Sequence, residues 1–128
     1  MKRIAFPTED GENISRHLGR APYFMIASLE DSGEYSLEKR EKPHHTDQSH
    51  SEHQEHSEQH GHGMGEAMFA SIADCQVLIS GGMGEPAYEH AKRLGLEVIL
   101  PAEIKILAAL EAYRNGKLEN DLRRIHKH

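Results

Sequence analysis

The sequence predicts an α/β fold in which helices cover a mixed sheet, and three observations support this prediction. Three runs typical of strands come first, from Lys2 to Phe6, from Tyr23 to Leu29 and from Glu34 to Glu41. After Met64, segments with helical periodicity alternate with short apolar runs. The run from Cys75 to Ser80 is apolar on both faces, as a strand between two helical layers requires. Strands followed by helix–strand alternation favour a mixed sheet with flanking helices.

Turn and stop residues predict where these elements begin and end. Pro7 is expected to end the first strand, and Gly33 is expected to take positive φ in a hairpin connection. On the last helix we expect Ile104, Leu107 and Leu110 to face the core. The other predicted elements are a helix from Met64 to about Asp74, a helix from Glu85 to Leu94 that stops at Gly95, a strand from Leu96 to Leu100, and a final helix that ends near Arg114.

The composition changes abruptly between Pro43 and Gly63. This segment has no aliphatic side chain, and it contains His44, His45, His50, His53, His56, His60 and His62. Such a sequence cannot bury enough apolar area to offset the entropy lost on ordering. We therefore predict one domain over residues 1–128 that carries a mobile histidine-rich insertion at about 43–63.

Charge and cysteine content narrow the function classes. The net charge is −6 at pH 7, which argues against a general nucleic-acid binder because such proteins present a basic face to phosphates. The single cysteine, Cys75, excludes an internal disulfide and an all-cysteine metal site within one chain. No apolar run has the length of a membrane span or of a secretion signal. These observations predict a cytoplasmic protein without membrane or nucleic-acid partners.

A glycine-rich turn follows the predicted central strand and leads into a helix. Such a turn exposes backbone N–H groups, and the helix amino terminus adds unpaired N–H groups and the positive end of its dipole. We therefore expect an anion site at Gly81, Gly82, Met83 and Gly84. A side chain at Gly82 or Gly84 is expected to clash with a ligand or to be forced into positive φ. The alternative is that these glycines only let the strand and the helix pack closely.

His17 lies in a loop with Arg16 and Arg20, directly before the second predicted strand. Imidazole is a common ligand of transition metals, and arginine attracts anions. A loop that follows the first strand converges with the glycine turn if both leave the same edge of the sheet. The alternative is that His17 is an ordinary surface residue.

The histidine-rich segment offers a second candidate metal site. His50, His53, His56 and His60 are three, three and four residues apart, so they would share one face if the segment were helical. Three or four imidazoles could then bind one zinc, nickel, copper or iron ion. All seven histidines of the segment, together with His17, are therefore candidate metal ligands. The alternative is a disordered polar tract that binds metal only as an affinity tag does.

Catalytic motifs are absent from the sequence. It contains no nucleophile elbow, no Walker sequence and no His-Glu-x-x-His pattern. Glu9, Asp10 and Asp74 suggest a two-metal nuclease, but each is predicted to lie at a turn, where acidic residues are common. Cys75 is predicted to be a buried apolar residue at the end of its strand opposite the glycine turn. We therefore expect no enzymatic activity.

Three motifs cover nearly the whole chain outside the histidine-rich segment and the carboxyl-terminal tail. They are Ile4-Ala5-Phe6-Pro7-Thr8-Glu9-Asp10-Gly11, His17-Leu18-Gly19-Arg20-Ala21-Pro22-Tyr23-Phe24 and Val77-Leu78-Ile79-Ser80-Gly81-Gly82-Met83-Gly84. In this order they resemble the dinitrogenase iron-molybdenum cofactor biosynthesis family, of the NifX and NifB carboxyl-terminal type. The resemblance implies a ribonuclease-H-like fold without nuclease activity. It also implies a role in binding or carrying iron–sulfur or iron–molybdenum cluster species.

The resemblance also points to particular residues. The histidine that the family associates with its cofactor belongs to a His-Phe-Gly motif, which here is His17-Leu18-Gly19 with a leucine in place of the aromatic residue. The resemblance therefore implies a binding region that contains His17, Gly19 and Arg20 together with the glycine turn.

Two functions from different classes remain open at this point. The first is a cluster carrier that uses His17 and the glycine turn and that works with a cluster-donor or cluster-acceptor protein. The second is a protein that buffers or senses metal ions such as zinc, nickel, copper or iron through the histidine-rich segment, with the folded domain as a scaffold.

Overall fold

The computed structural model describes residues 1–42 and 67–126. The seven histidines between positions 44 and 62 lie outside these residues, and so do the predictions made for them. The strands of the described part are β1 (Lys2–Thr8), β2 (Tyr23–Leu29), β3 (Tyr35–Glu41), β4 (Val77–Ile79), β5 (Met83–Gly84), β6 (Glu97–Ile99) and β7 (Ile125–His126). The helices are α1 (described from 67 to 70), α2 (Glu85–Arg93) and α3 (Ile106–Arg114), and a 3-10 helix spans Leu122–Arg124.

A mixed five-stranded sheet has the order β3-β2-β1-β4-β6. β1, β2 and β3 pair antiparallel, whereas β1 pairs parallel with β4 and β4 pairs parallel with β6. β5 and β7 form a separate parallel pair. This arrangement confirms the predicted α/β fold with a mixed sheet and an edge strand near Glu34 to Glu41.

Side chains of the sheet alternate between two apolar clusters, one on each face. In β1, Ala5 belongs to the first cluster, and Ile4 and Phe6 belong to the second. In β4, Leu78 belongs to the first cluster and Val77 belongs to the second. The helical residues that complete the clusters are Phe69 and Ala91 in the first and Ile106, Ala109 and Leu110 in the second. Helices therefore cover both faces of β4, as its apolar sequence predicts.

The predicted core face of the last helix is wrong at two of its three positions. Ile104 is 68% exposed and Leu107 is 53% exposed, whereas Leu110 is buried as predicted. α3 begins only at Ile106, so Ile104 precedes its first turn. The buried face starts from Ile106 itself and continues at i+3 and i+4.

Several predicted boundaries also shift. β1 continues through Pro7 to Thr8, because both residues pair with β2, whereas β4 pairs only with Ile4 and Ala5. Pro7 therefore lies beyond the β4 ladder, where its missing N–H breaks no hydrogen bond to that strand. The helix predicted to end near Asp74 is helical to residue 70 and continues as turns.

The predictions for two glycines are confirmed, namely positive φ at Gly33 and a helix stop at Gly95. Gly33 has φ of 98° in the hairpin, and Gly95 has φ of 86° directly after the C-cap of α2. Both values lie in the left-handed region that favours glycine. No helix within the described residues is long and apolar enough to cross a membrane.

Candidate functional site

The loop that contains His17 lies directly against the glycine turn. We call residues 14–21 the His17 loop and residues 80–84 the glycine turn. The Gly81 N–H donates to the Ser15 carbonyl at 2.9 Å, and the Leu18 N–H donates to the Gly82 carbonyl at 3.4 Å. The loops after β1 and β4 meet because these strands are parallel neighbours, so their carboxyl ends share one edge of the sheet.

Gly81 makes this contact possible. A Cβ atom added at Gly81 would lie 2.9 Å from the Ser15 carbonyl oxygen and 3.2 Å from the Arg16 Cα. A Cβ at Gly84 would meet only Pro86 Cδ at 3.7 Å, which is ordinary van der Waals contact. Gly81 therefore permits close packing against the His17 loop, whereas the alternative interpretation placed the close packing between the strand and the helix.

The expected backbone conformation and the expected anion donors of the glycine turn need correction. The positive-φ glycines of the described chain do not include Gly82 or Gly84, so positive φ does not restrict these two positions. The Gly82 N–H is hydrogen-bonded to Ser80 Oγ at 3.3 Å, and Ser80 Oγ in turn donates to the Gly82 carbonyl at 2.8 Å. The N–H groups of Gly81 and Gly82 are thus used within the protein, which contradicts the expectation that they face an anion.

The amino terminus of α2 lies at the end of the glycine turn. Gly84 is its N-cap and provides no side-chain hydrogen bond to the first turn. Glu85 is the acidic residue of that turn. Met83, which precedes Gly84, is only 1% exposed and packs in the first apolar cluster. Met83 therefore contributes packing at this site, and its side chain is not a surface contact.

Hydrogen bonds hold the backbone of His17 in a tight turn while its side chain is exposed. The His17 N–H donates to Ser15 Oγ at 3.1 Å, and the His17 carbonyl accepts the N–H groups of Arg20 at 3.0 Å and Ala21 at 3.1 Å. Arg16 and Arg20 are also exposed. The loop therefore presents one imidazole between two arginines from a fixed backbone.

Gly19 and Leu18 have different environments within the same loop. No atom lies within 4 Å of a Cβ added at Gly19, whereas Leu18 is 1% exposed and belongs to the first apolar cluster. Leu18, which replaces the family's aromatic residue, anchors the loop in the core.

Lys42 was not predicted as a site residue, yet it contacts the His17 loop. It is 8% exposed, its amine Nζ donates a hydrogen bond to the Leu18 carbonyl, and its N–H donates to the Pro22 carbonyl at 3.0 Å. Nζ also lies 5.4 Å from the centroid of the Phe24 ring. Burial lowers the pKa of Lys42 to about 8, which leaves the amine protonated at neutral pH. No sequence pattern distinguishes Lys42 from the exposed Lys39 of the preceding strand.

The acidic residues considered as nuclease candidates belong to separate hydrogen-bond networks. The Asp10 carboxylate accepts the N–H groups of Glu12 at 2.9 Å and Asn13 at 2.8 Å. These bonds, with that from Asn13 the largest, lower the pKa of Asp10 to about 2. Asp74 instead pairs with Arg40 at 2.9 Å and with Arg3 at 3.8 Å. Within residues 1–42 and 67–126, no group of three or more His, Cys, Asp or Glu side chains could hold a metal ion.

Cys75 behaves as predicted. It is 7% exposed and precedes β4, at the end opposite the glycine turn. Burial, with a smaller contribution from Asp74, raises the pKa of the Cys75 thiol to about 12. The thiolate form that binds metals is therefore disfavoured at neutral pH.

The carboxyl-terminal tail pairs with the strand that ends the glycine turn. Met83 is opposite Ile125 and Gly84 is opposite His126 in the parallel pair of β5 and β7. Ile125 also packs against the first apolar cluster. This pairing has no signal in the sequence, because each strand is only two residues long and the partners are far apart in the chain.

The family comparison agrees with the motifs at this edge of the sheet. The sequence model of the family described as dinitrogenase iron-molybdenum cofactor matches residues 1–116. The chain therefore belongs to the dinitrogenase iron-molybdenum cofactor family, which confirms the resemblance drawn from its motifs. No curated protein sequence matches the chain.

Solved structures of similar fold cover nearly all of the chain. The crystal structure of the protein PH0822 has a TM-score of 0.67 at 24% identity and covers 93% of this chain and 96% of its own. The apo form of the orange protein from Desulfovibrio gigas has a TM-score of 0.66 at 20% identity, and the match covers 94% of this chain and 93% of the orange protein chain. An NMR structure from Thermotoga, provisionally described as a NifB protein, has a TM-score of 0.59 at 22% identity, and the match covers 94% of this chain and 93% of the Thermotoga chain. At these identities the likeness establishes the fold alone.

Proposed function

We propose that this protein binds or carries iron–sulfur or iron–molybdenum cluster species and does not act as a catalyst. The observation that carries the proposal is the exposed His17 between two exposed arginines, on a loop fixed against the glycine turn. The description of the family to which the chain belongs names the iron-molybdenum cofactor of dinitrogenase. The proposed binding surface consists of His17, Gly19 and Arg20, and Gly81, Gly82, Met83 and Gly84 support it from the glycine turn.

The residues of this region have different proposed roles. His17 is the metal ligand, and Arg20 with Arg16 stabilises the negative charge of the cluster. Gly19 leaves space at the surface of the loop, since nothing lies within 4 Å of a Cβ placed there. The glycine turn positions the His17 loop and the amino terminus of α2.

A site with one imidazole ligand and two arginines suits temporary binding of a preformed cluster. Clusters that stay in a protein are commonly held by four cysteine thiolates. A cluster that brings its own sulfides needs fewer protein ligands, so one imidazole can occupy one open metal position. A cluster held by few protein bonds is readily passed on. We therefore propose a cluster-donor or cluster-acceptor protein as the partner.

We also propose that the fold is ribonuclease-H-like without nuclease activity. The order β3-β2-β1-β4-β6 supports this proposal, because a three-stranded antiparallel meander continues into parallel strands through the central β1. Asp10 and Asp74, the acids that a two-metal nuclease would need, are engaged by separate partners.

Anaerobic purification followed by analysis of iron, acid-labile sulfide, nickel and zinc tests the proposed function. We expect iron and sulfide together, in both the full chain and a variant that lacks Asp47 to His60. Zinc or nickel without sulfide, lost when this segment is deleted, would contradict the carrier function. That result would support instead metal buffering or sensing by His44, His45, His50, His53, His56, His60 and His62.

A further inference from the structure

Lys42 holds the His17 loop from the interior of the protein. Two of its groups bind this part of the chain, since its amine donates to the Leu18 carbonyl and its backbone N–H donates to the Pro22 carbonyl at 3.0 Å. With 8% exposure, the side chain is among the few buried polar or charged ones in the described residues. A lysine at the end of an exposed edge strand ordinarily extends into solvent, because burial of an ammonium group is costly.

The contacts of Lys42 complete a clamp on one residue, Leu18. The Leu18 N–H donates to the Gly82 carbonyl at 3.4 Å, and the Leu18 carbonyl accepts the Lys42 amine. The Leu18 side chain is buried in the first apolar cluster. Leu18 is thus fixed from the glycine turn, from Lys42 and from the core. His17 immediately precedes it, so the clamp also fixes the backbone from which the imidazole extends.

The charge of Lys42 adds a second effect. A positive charge in a weakly polar interior is poorly screened, so it acts on nearby anions more strongly than an exposed lysine does. Lys42 lies beneath the loop that presents Arg16, His17 and Arg20. Its charge therefore has the same sign as the surface groups proposed to bind an anionic cluster.

We propose that Lys42 is a positioning residue of the cluster site. Its ammonium group fixes the Leu18 peptide, and through it the direction of the His17 imidazole, and it adds a buried positive charge behind the bound anion. This inference rests on the proposed function and assigns a role to a residue outside the region defined above.

The first test compares Lys42→Met with Lys39→Met. Methionine retains much of the apolar stem of lysine but removes the charge and the hydrogen-bond donors. Lys39 is on β3, the strand that precedes Lys42, and is exposed, with Nζ 4.3 Å from the Tyr23 ring centroid, so its variant controls for loss of a lysine. The probe is a synthetic thiolate-ligated iron–sulfur cluster, which is a dianion, added under anaerobic conditions. The imidazole replaces one of its thiolates, which takes up a proton from water and leaves as the free thiol. We expect Lys42→Met to weaken binding by about tenfold or more, and Lys39→Met by less than about twofold.

A second measurement needs no cluster. Amide hydrogen exchange at Leu18 and the NMR signals of the His17 imidazole report the clamp directly. We expect exchange at Leu18 to accelerate by about tenfold or more in Lys42→Met and the His17 signals to shift, with both unchanged in Lys39→Met. Parental exchange and His17 signals in Lys42→Met would overturn the inference even if the parent protein binds the cluster. Failure of the parent protein to bind the cluster would instead contradict the proposed function.

Lys42→Arg separates positioning from general stability. Arginine keeps the charge and the donors, so we expect cluster affinity within about threefold of the parent and largely restored protection of Leu18. This comparison also holds if Lys42→Met does not fold. The positioning role would be overturned if a folded Lys42→Arg protein bound the cluster about tenfold or more weakly than the parent and had shifted His17 signals, because this variant keeps the charge and the donors. So would a Lys42→Met protein that is less stable but binds the cluster like the parent.

Discussion

Gly81 is the residue at which the glycine turn and the His17 loop meet, and its missing side chain has a measurable consequence. Gly81→Ala places Cβ 2.9 Å from the Ser15 carbonyl oxygen, so the loop must move. We expect the free energy of unfolding in urea to fall by about 1–3 kcal/mol. Gly19→Ala is the matched control in the same loop, because a Cβ there meets nothing within 4 Å, and we expect a change within about 0.5 kcal/mol. Equal stability of the two variants would show that the contact at Gly81 is not close.

Asp10 provides a pH-dependent test of the turn that precedes the His17 loop. Its pKa is lowered to about 2, chiefly by hydrogen bonds from Asn13 and Glu12. A lowered carboxyl pKa stabilises the fold above the unfolded-state pKa, and this stabilisation is lost as pH falls toward the folded-state value. We therefore expect Asp10→Asn to have a lower melting temperature than the parent at pH 7, with the difference shrinking between about pH 4 and pH 2. A difference that does not change over this range would contradict the assigned hydrogen bonds.

Single residues were predictable from the sequence only where their chemistry is local. The positive φ of Gly33 follows from the hairpin sequence, and the burial of Cys75 follows from its apolar strand. The roles of Gly81 and Lys42 depend on partners in the His17 loop, far away in the chain. Periodicity and turn propensities carry no information about such contacts.

At the scale of elements, the carboxyl-terminal pairing of β7 with β5 is the feature that the sequence did not predict. Ile125 lies opposite Met83 and packs against the first apolar cluster. We expect Ile125→Ala to lower the free energy of unfolding by roughly 1–2 kcal/mol, toward the low end for a partly buried aliphatic side chain. Leu122→Ala is the matched control, because Leu122 is 52% exposed, and its effect should stay within about 0.5 kcal/mol. Guanidinium unfolding of both variants measures these changes. An unchanged free energy of unfolding in Ile125→Ala would show that the tail does not pack on the core.

The main elements were predictable because their signals are local and repeated. β1, β2, β3 and α2 were placed within one or two residues from apolar runs, proline and glycine. The inward face of α3 was misplaced because its sequence is apolar at several adjacent positions, so one choice of face looks as good as another. Only packing against the second apolar cluster selects Ile106, Ala109 and Leu110.

At the scale of the whole molecule, the histidine-rich segment is predicted to be dispensable for folding. The sequence from Asp47 to His60 contains no apolar side chain that a core could bury. We expect a variant without Asp47 to His60 to unfold cooperatively, with a melting temperature close to that of the parent when both are metal-free. Thermal denaturation followed by circular dichroism tests this expectation. Loss of the cooperative transition would show that the segment belongs to the folded core.

The central claim is that His17 ligates a metal atom of the cluster, and an anaerobic titration tests it most directly. The parent protein, His17→Ala and the variant without Asp47 to His60 are titrated with a synthetic iron–sulfur cluster at low and high salt, followed by visible absorbance. A coordinate bond is not screened by salt, so we expect His17→Ala to bind at least about tenfold more weakly at both salt concentrations. The deletion variant should bind like the parent. Parental affinity in His17→Ala, together with loss of binding in the deletion variant, would contradict the carrier function and assign metal binding to the histidine-rich segment.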